Sequence, residues 1–372
     1  MDYSQALKII SKKQSLGIKP GLSRIENLMT VMGNPQNNIK VIHVAGTNGK
    51  GTVSATLADA LNRQGLKTGL FSSPWVTDYT EQIQLNGECI PKEVLASYIE
   101  KYCDYDCTEF ELLTAIMYKY FYDEKVDYAV VECGMGGRED STNVVSTPVL
   151  SVITKVAVDH TDFLGNSLSE IANHKAGIIK KGCKAILYPN EECSDFFEDY
   201  CKNIGAQLIS VAEHGDFKDN NLAVVNACLS ELGLEKVQDC VSLPARQELL
   251  TLNVMIDGAH NLNGAYGLRS YLPKNRKITA VIGMMRDKNF EGYLENIAPH
   301  CSRIIATTPS NPRALDAKDL AACAERYCLD VIIEPSPQKA VDIAFQNYDF
   351  FLVCGSFYLA RDVRGYLKNK LF

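Results

Sequence analysis

The segment KVIHVAGTNGKGTVSATLADALNR, residues 40–63, decides how the whole chain is read. Lys40 to Ala45 is a short β-rich run, Val53 to Arg63 has helical periodicity, and Gly46-Thr47-Asn48-Gly49-Lys50-Gly51-Thr52 joins them. A strand, a glycine-rich loop and a helix in this order bring backbone N–H groups and the positive end of a helix to one spot, which favours phosphate. The glycines admit close approach of the oxygens, Lys50 can neutralise the outer phosphates, and Thr52 offers a hydroxyl to phosphate or its metal. The strict pattern GxxxxGK[ST] is not met, because Val44 stands at the first glycine and Gly51 intervenes between Lys50 and Thr52. The alternative is a glycine-rich turn with an incidental lysine; the strand and helix on either side argue for phosphate, and by itself the loop specifies only a nucleotide.

Working outward, the same alternation recurs. Lys67–Phe71, Tyr128–Glu132 and Val149–Thr154 read as strands and Phe110–Tyr122 as a helix, with helical patterns also before Gly17 and from Ser23 to Met32. Further strands are expected at Val254–Ile256, Ile278–Ile282, Arg303–Ala306, Val331–Ile333 and Phe350–Val353. The polar stretch Glu213 to Asn221 interrupts the pattern and reads as a linker. The expected fold class is therefore α/β: a P-loop-type, mostly parallel sheet flanked by helices over residues 1–217, followed by a smaller Rossmann-like α/β domain over residues 218–372. A length of 372 residues agrees with two cores.

Composition removes several classes of function. A formal net charge of -7, with no long Lys/Arg block to follow a phosphate backbone, argues against a nucleic-acid partner. No apolar run reaches membrane-spanning length, and Met1 to Ser15 lacks the apolar core of a secretory signal, so no membrane partner and a cytoplasmic location are expected. Thirteen cysteines, an odd number without paired CxxC units, read as reduced and mostly buried thiols.

Polar groups recur where strands end, the place where open α/β sheets bind ligands. Glu132 closes an apolar strand and is followed by Gly134, Gly136 and Gly137, which suits a metal-site carboxylate as well as a helix cap. Asp159 and His160 follow the next strand; a histidine there is either structural or a ligand. Asp257-Gly258-Ala259-His260-Asn261 follows Val254–Ile256, as a site or as a capped turn, with Arg246 upstream in a loop. Lys175, in an amphipathic segment, reads by itself as a surface charge.

Taken together, these motifs resemble folylpolyglutamate synthase and dihydrofolate synthase, a branch of the Mur ligase superfamily. The resemblance runs through Gly33-Asn34-Pro35-Gln36, the His43-Val44-Ala45 strand into GTNGKGT, Ser72-Ser73-Pro74 and ECGMGGREDSTN from Glu132 to Asn143. It continues through Asp159-His160, KAGIIKKG from Lys175, DGAHN from Asp257, Asp287-Lys288 and GSFYLARDVR from Gly355. It implies an ATP-dependent ligase that adds L-glutamate to dihydropteroate or a folate, with ATP phosphates at the loop and a second domain closing over the nucleotide. Ser73, Glu132 and His160 would hold magnesium; Lys175 matches a lysine carried as a carbamate, suited to a second magnesium. Asn226, Arg246, Asp257 and His260 match second-domain positions that meet the nucleotide or the reacting groups, and a monomer is implied. The chain departs from the pattern at Trp75 in place of His, Gln82 in place of Arg, His174 in place of an acid and Ala245 in place of Gly. The first two fall in the segment implied to lie near the acid substrate, which leaves open a Mur-type ligase joining a different carboxylic acid and amino acid.

Overall fold

The structure, a computed structural model, describes residues 1–17 and 19–372. It divides into two units: Met1–Pro74 with Thr80–Ala157 and Thr161–Val241, and Trp75–Tyr79 with Val158–His160 and Ser242–Phe372.

The first unit is built on β1 (Val41–Ala45), β2 (Thr68–Phe71), β3 (Ile83–Leu85), β4 (Glu88–Cys89), β5 (Tyr128–Glu132), β6 (Leu150–Ile153), β7 (Lys184–Leu187) and β8 (Gln207–Ser210). Their order is β4-β3-β2-β5-β1-β6-β7-β8, and only β3 and β4 run antiparallel to their neighbours. Every residue of β1 is buried, as expected of a strand covered on both faces. It pairs Val44 with Glu132 of β5 and Ala45 with Ile153 of β6. Since β2, β5, β1 and β6 are adjacent and parallel, the residues that follow them share one edge of the sheet.

The polar stretch expected to be a linker is instead a helix start. Asp216 accepts hydrogen bonds from the N–H groups of Lys218 and Asp219 and caps the helix Phe217–Glu231. That helix packs on the helix Lys50–Arg63 and buries Val224, Val225, Cys228 and Leu229. Burial of four such side chains stabilises by several kcal/mol, about 1.5–3 kcal/mol for each large one. The expected boundary after residue 217 therefore moves to after Val241.

The second unit is built on β9 (Glu248–Thr251), β10 (Val254–Ile256), β11 (Ile278–Ile282), β12 (Cys301–Ala306), β13 (Val331–Ile333) and β14 (Phe350–Cys354), ordered β13-β12-β11-β14-β10-β9. All neighbours are parallel except β9 and β10. Two short runs from earlier in the chain complete this unit. Val76 joins the apolar cluster of Val254, Ile256, Phe351 and Val353. The Trp75 ring lies under the Arg361 guanidinium, 3.3 Å from centroid to Cζ, and Arg361 also donates to the Trp75 carbonyl at 2.8 Å. Arg364 donates to Thr77 Oγ1 at 2.9 Å and forks onto both carboxylate oxygens of Glu248.

All thirteen cysteines are free thiols, most of them buried. Among the described residues no helix is long and apolar enough to cross a membrane.

Candidate active site

The loop after β1 has the backbone its sequence demands. Gly46 (φ +156°) and Gly49 (φ +89°) both lie in the region that favours glycine. A Cβ on Gly46 would stand 1.8 Å from Thr154 Oγ1, and one on Gly49 would stand 2.6 Å from Asn221 Oδ1. The loop is tied to the end of β6: Thr47 N–H donates to the Lys155 carbonyl at 2.7 Å and Asn48 N–H to the same oxygen at 3.2 Å, while Thr47 Oγ1 donates to Ala157 O at 2.9 Å. The first turn of the helix Lys50–Arg63, where Gly51 and Thr52 lie, presents N–H groups that have no partner within the helix. Lys50 Nζ folds back onto Thr47 O at 3.3 Å, so its ammonium is held over the loop.

Asn221 is the residue that sequence alone passed over. It is 7% exposed, its Oδ1 has no hydrogen-bond partner, and that oxygen faces Gly49. Asn226, expected in the second domain, lies in the first unit on the same helix, with its amide closed in a clamp: Nδ2 donates to Val237 O at 3.0 Å and Oδ1 accepts from Val237 N–H at 2.9 Å. Residues five apart on a helix point about 140° away from each other, so the two cannot share a face.

Beside the loop, Ser73 follows β2 and Glu132 ends β5 on the shared edge. Glu132 is 2% exposed and accepts from the Ser73 N–H at 3.2 Å. Hydroxyl and carboxylate oxygens suit a hard cation such as Mg2+, which keeps water and phosphate oxygens in its shell instead of filling it with protein. No group of three or more His, Cys, Asp or Glu side chains that could hold a metal ion is found among the described residues. The glycine run after Glu132 permits close packing: a Cβ on Gly137 would meet the carbonyl of His174 at 2.7 Å and that of Lys175 at 3.0 Å. Lys175, read from sequence as a surface charge or through the family as a modified ligand, is in fact 2% exposed, on the helix Leu168–Ala176 against this turn.

Under the same edge, Asp140 accepts from Met135 N–H at 2.7 Å, Thr142 N–H at 3.0 Å and Thr142 Oγ1 at 2.6 Å. Burial pushes its carboxyl up in spite of these bonds. His43, on β1, is enclosed with Nε2 2.8 Å from Thr142 Oγ1 and 3.2 Å from Cys133 Sγ. Burial, helped by the Lys180 charge, lowers its pKa to about 3, so it is a neutral structural ring.

His160 belongs to the second unit, at φ +52°. There it lies 3.4 Å from Lys288 Nζ and beside Asp159. The turn after β10 supplies the rest. Asp257 accepts from Gln247 N–H at 2.8 Å and Ala259 N–H at 2.7 Å, and burial raises its pKa against the pull of those bonds and of Arg246 and His260. His260 Nδ1 is 2.9 Å from Gly258 O. Arg246 Cζ stacks 4.2 Å over the Phe357 ring, and His260 meets the same ring edge-on at 5.8 Å. Gly258 makes room for that ring, since a Cβ would stand 2.3 Å from it. Ala245, the departure from glycine, sits at φ +55°. Phe357, within GSFYLARDVR, is thus the ring against which Arg246 and His260 pack.

Residues 44–266 match the Mur ligase middle domain and residues 245–357 the Mur ligase glutamate ligase domain. The folylpolyglutamate synthase of Lacticaseibacillus casei is 32% identical, with 98% of each chain covered. The dihydrofolate synthetase of Saccharomyces cerevisiae is 30% identical over 94% of this chain and 98% of that protein. Among solved structures, Escherichia coli FolC in complex with DHPP and ADP superposes with a TM-score of 0.89 at 29% identity, covering 99% of this chain and 98% of that one. The Yersinia pestis bifunctional folylpolyglutamate synthase/dihydrofolate synthase complexed with AMPPNP and Mn ion gives 0.86 at 27% identity, covering 99% and 98%. Glycine-cradled phosphate loop, acidic strand end and polar turn on a second sheet agree with this kinship, and the chain belongs to the folylpolyglutamate synthase/dihydrofolate synthase family of Mur ligases, which are ATP-dependent ligases.

Proposed function

We propose that the chain joins L-glutamate to a folate-type acid, dihydropteroate or a (tetrahydro)folate, releasing ADP and phosphate. A carboxylate acylates poorly because its leaving group would be an oxide, so its oxygen first takes the γ-phosphoryl group of ATP. The glutamate amine, neutral when it attacks, then displaces phosphate and the amide forms. The observation that carries this reading is the loop itself: glycines at φ +156° and φ +89°, where a side chain would be strained and crowded, with Lys50 held over them. Gly46 to Thr52 bind the triphosphate, Lys50 offsets charge developing on the transferred group, and Asn221 and Arg246 contact the nucleotide. Asn226, in its closed clamp, is given no such part.

The oxygen donors Ser73 and Glu132 fit magnesium bound with the nucleotide, and His160 is proposed as a further ligand; bound there, the metal supplies charge neutralisation of the phosphates. A carbamate on Lys175 would turn a buried ammonium into an anion beside the glycine turn and give a second magnesium a ligand. Asp257 and His260, with Arg246 on Phe357, orient the reacting groups. A cytoplasmic monomer without nucleic-acid or membrane partners accompanies this reading.

Purified protein with Mg-ATP and L-glutamate, offered dihydropteroate and tetrahydrofolate separately, is expected to yield the glutamylated acid by mass spectrometry. Phosphate release indifferent to both co-substrates would refute a ligase. Lys50→Ala is expected to abolish turnover with the fold retained; normal rates in that variant would show that the loop is misassigned.

A further inference from the structure

Asp159 follows β6 in the chain but lies in the second unit, where it is the meeting point of groups from two segments. Lys288 Nζ, from the loop after β11, is 2.5 Å from its Oδ1. Asn261 Nδ2, from the turn after β10, donates to its Oδ2 at 2.8 Å, and His260 Nε2 lies 3.6 Å from the same oxygen. The side chains of Asp159 and Lys288 are 8% and 7% exposed.

This arrangement has a mechanical meaning. An enclosed ammonium without an anion is strongly destabilised, so without Asp159 the flexible Lys288 stem would carry its charge out to water. His260 is held at Nδ1 by Gly258 O, 2.9 Å away, and its Nε2 faces the Asp159 carboxylate. Asn261 is also the N-cap of the helix Leu262–Tyr271: its Oδ1 accepts from Gly264 N–H at 2.8 Å while its Nδ2 holds Asp159. The carboxylate thereby locks a loop, a turn and a helix start into one group.

We propose that Asp159 is a positioning residue that fixes Lys288 and the His260–Asn261 pair as a single rigid cluster at the turn carrying the reacting groups. The proposal rests on the functional reading above. Lys288, tethered at its ammonium, keeps donor capacity for an anionic reactant, a phosphoryl or carboxylate oxygen.

The test uses the full chain with Asp159→Asn, Lys288→Met and the double variant. Each single change is expected to lower kcat about tenfold or more, with KM for ATP within about threefold of wild type and the double variant no worse than the poorer single one. The Mg2+ concentration for half-maximal rate is expected to stay unchanged, which separates Asp159 from its neighbour His160. Trp75, the only tryptophan, belongs to the same unit, so its emission reports folding there. If the emission of Asp159→Asn departs from wild type, Lys288→Met decides alone, because it leaves the carboxylate with its other partners. Wild-type kcat in that variant, additive losses in the double variant, or an effect confined to the metal requirement would each overturn the proposal. Absence of ligase activity in the wild-type protein would refute the functional reading instead.

Discussion

Acid is expected to unfold this protein partly through one histidine that has no part in the chemistry. The His43 ring stays neutral down to about pH 3 in the folded chain, because burial and the Lys180 charge oppose the imidazolium. In the unfolded chain it takes up a proton near 6.5. Below that value the unfolded state binds one more proton than the folded state, so stability falls as pH falls, by up to about 1.4 kcal/mol per pH unit until the folded ring titrates. Between about pH 7 and about pH 4.5 the contribution integrates to about 2.5 kcal/mol. His43→Leu removes the proton site, keeps a similar volume on β1, and leaves Thr142 Oγ1 bonded to Asp140. Urea unfolding followed by circular dichroism across this range would give two stability curves, with the wild-type value falling relative to the variant's by that amount towards acid. Parallel curves would refute the reasoning and would mean that the folded ring takes up its proton.

Two further outcomes follow from backbone geometry. Gly49→Ala places a methyl 2.6 Å from Asn221 Oδ1 at φ +89°, so strain of about 1–2 kcal/mol is expected, with a tenfold or greater loss of ATP affinity by calorimetry; unchanged affinity would remove the loop from the nucleotide site. Ala245→Gly, at φ +55°, is expected to keep stability within about 1 kcal/mol of wild type, whereas Ala245→Val is expected to lose about 2 kcal/mol or more by urea midpoint; the reverse order would contradict the left-handed backbone.

The sheet centres were legible because β1, β5, β6, β11 and β14 are short apolar runs ended by glycine or polar residues, which is what two-sided burial selects. β8, with Gln207 and Ser210 exposed at its ends, lies at the edge of the sheet and carries no such signature. Glu213 to Asn221 looked like a linker because its Asp and Asn residues suit a turn; they serve a helix cap, and composition does not distinguish those uses. The phosphate loop could be read from residue types alone, since φ above zero and a missing Cβ both announce glycine. Which of Asn221 and Asn226 faces it could not, because that depends on the rotation of a helix packed by its apolar side chains. Likewise Asp159 and Lys288 are separated by a stretch of chain that only the fold closes, so their pairing left no local trace.

The runs Trp75–Tyr79 and Val158–His160 mean that the second unit cannot be obtained as a gene fragment beginning at Ser242. Such a fragment would lack the Val76 methyls from its apolar cluster, the indole under Arg361 and the anion beside Lys288. Dissection of this protein at its contact boundary would yield an incomplete piece, and a swap of that piece between relatives would have to carry both distant inserts with it.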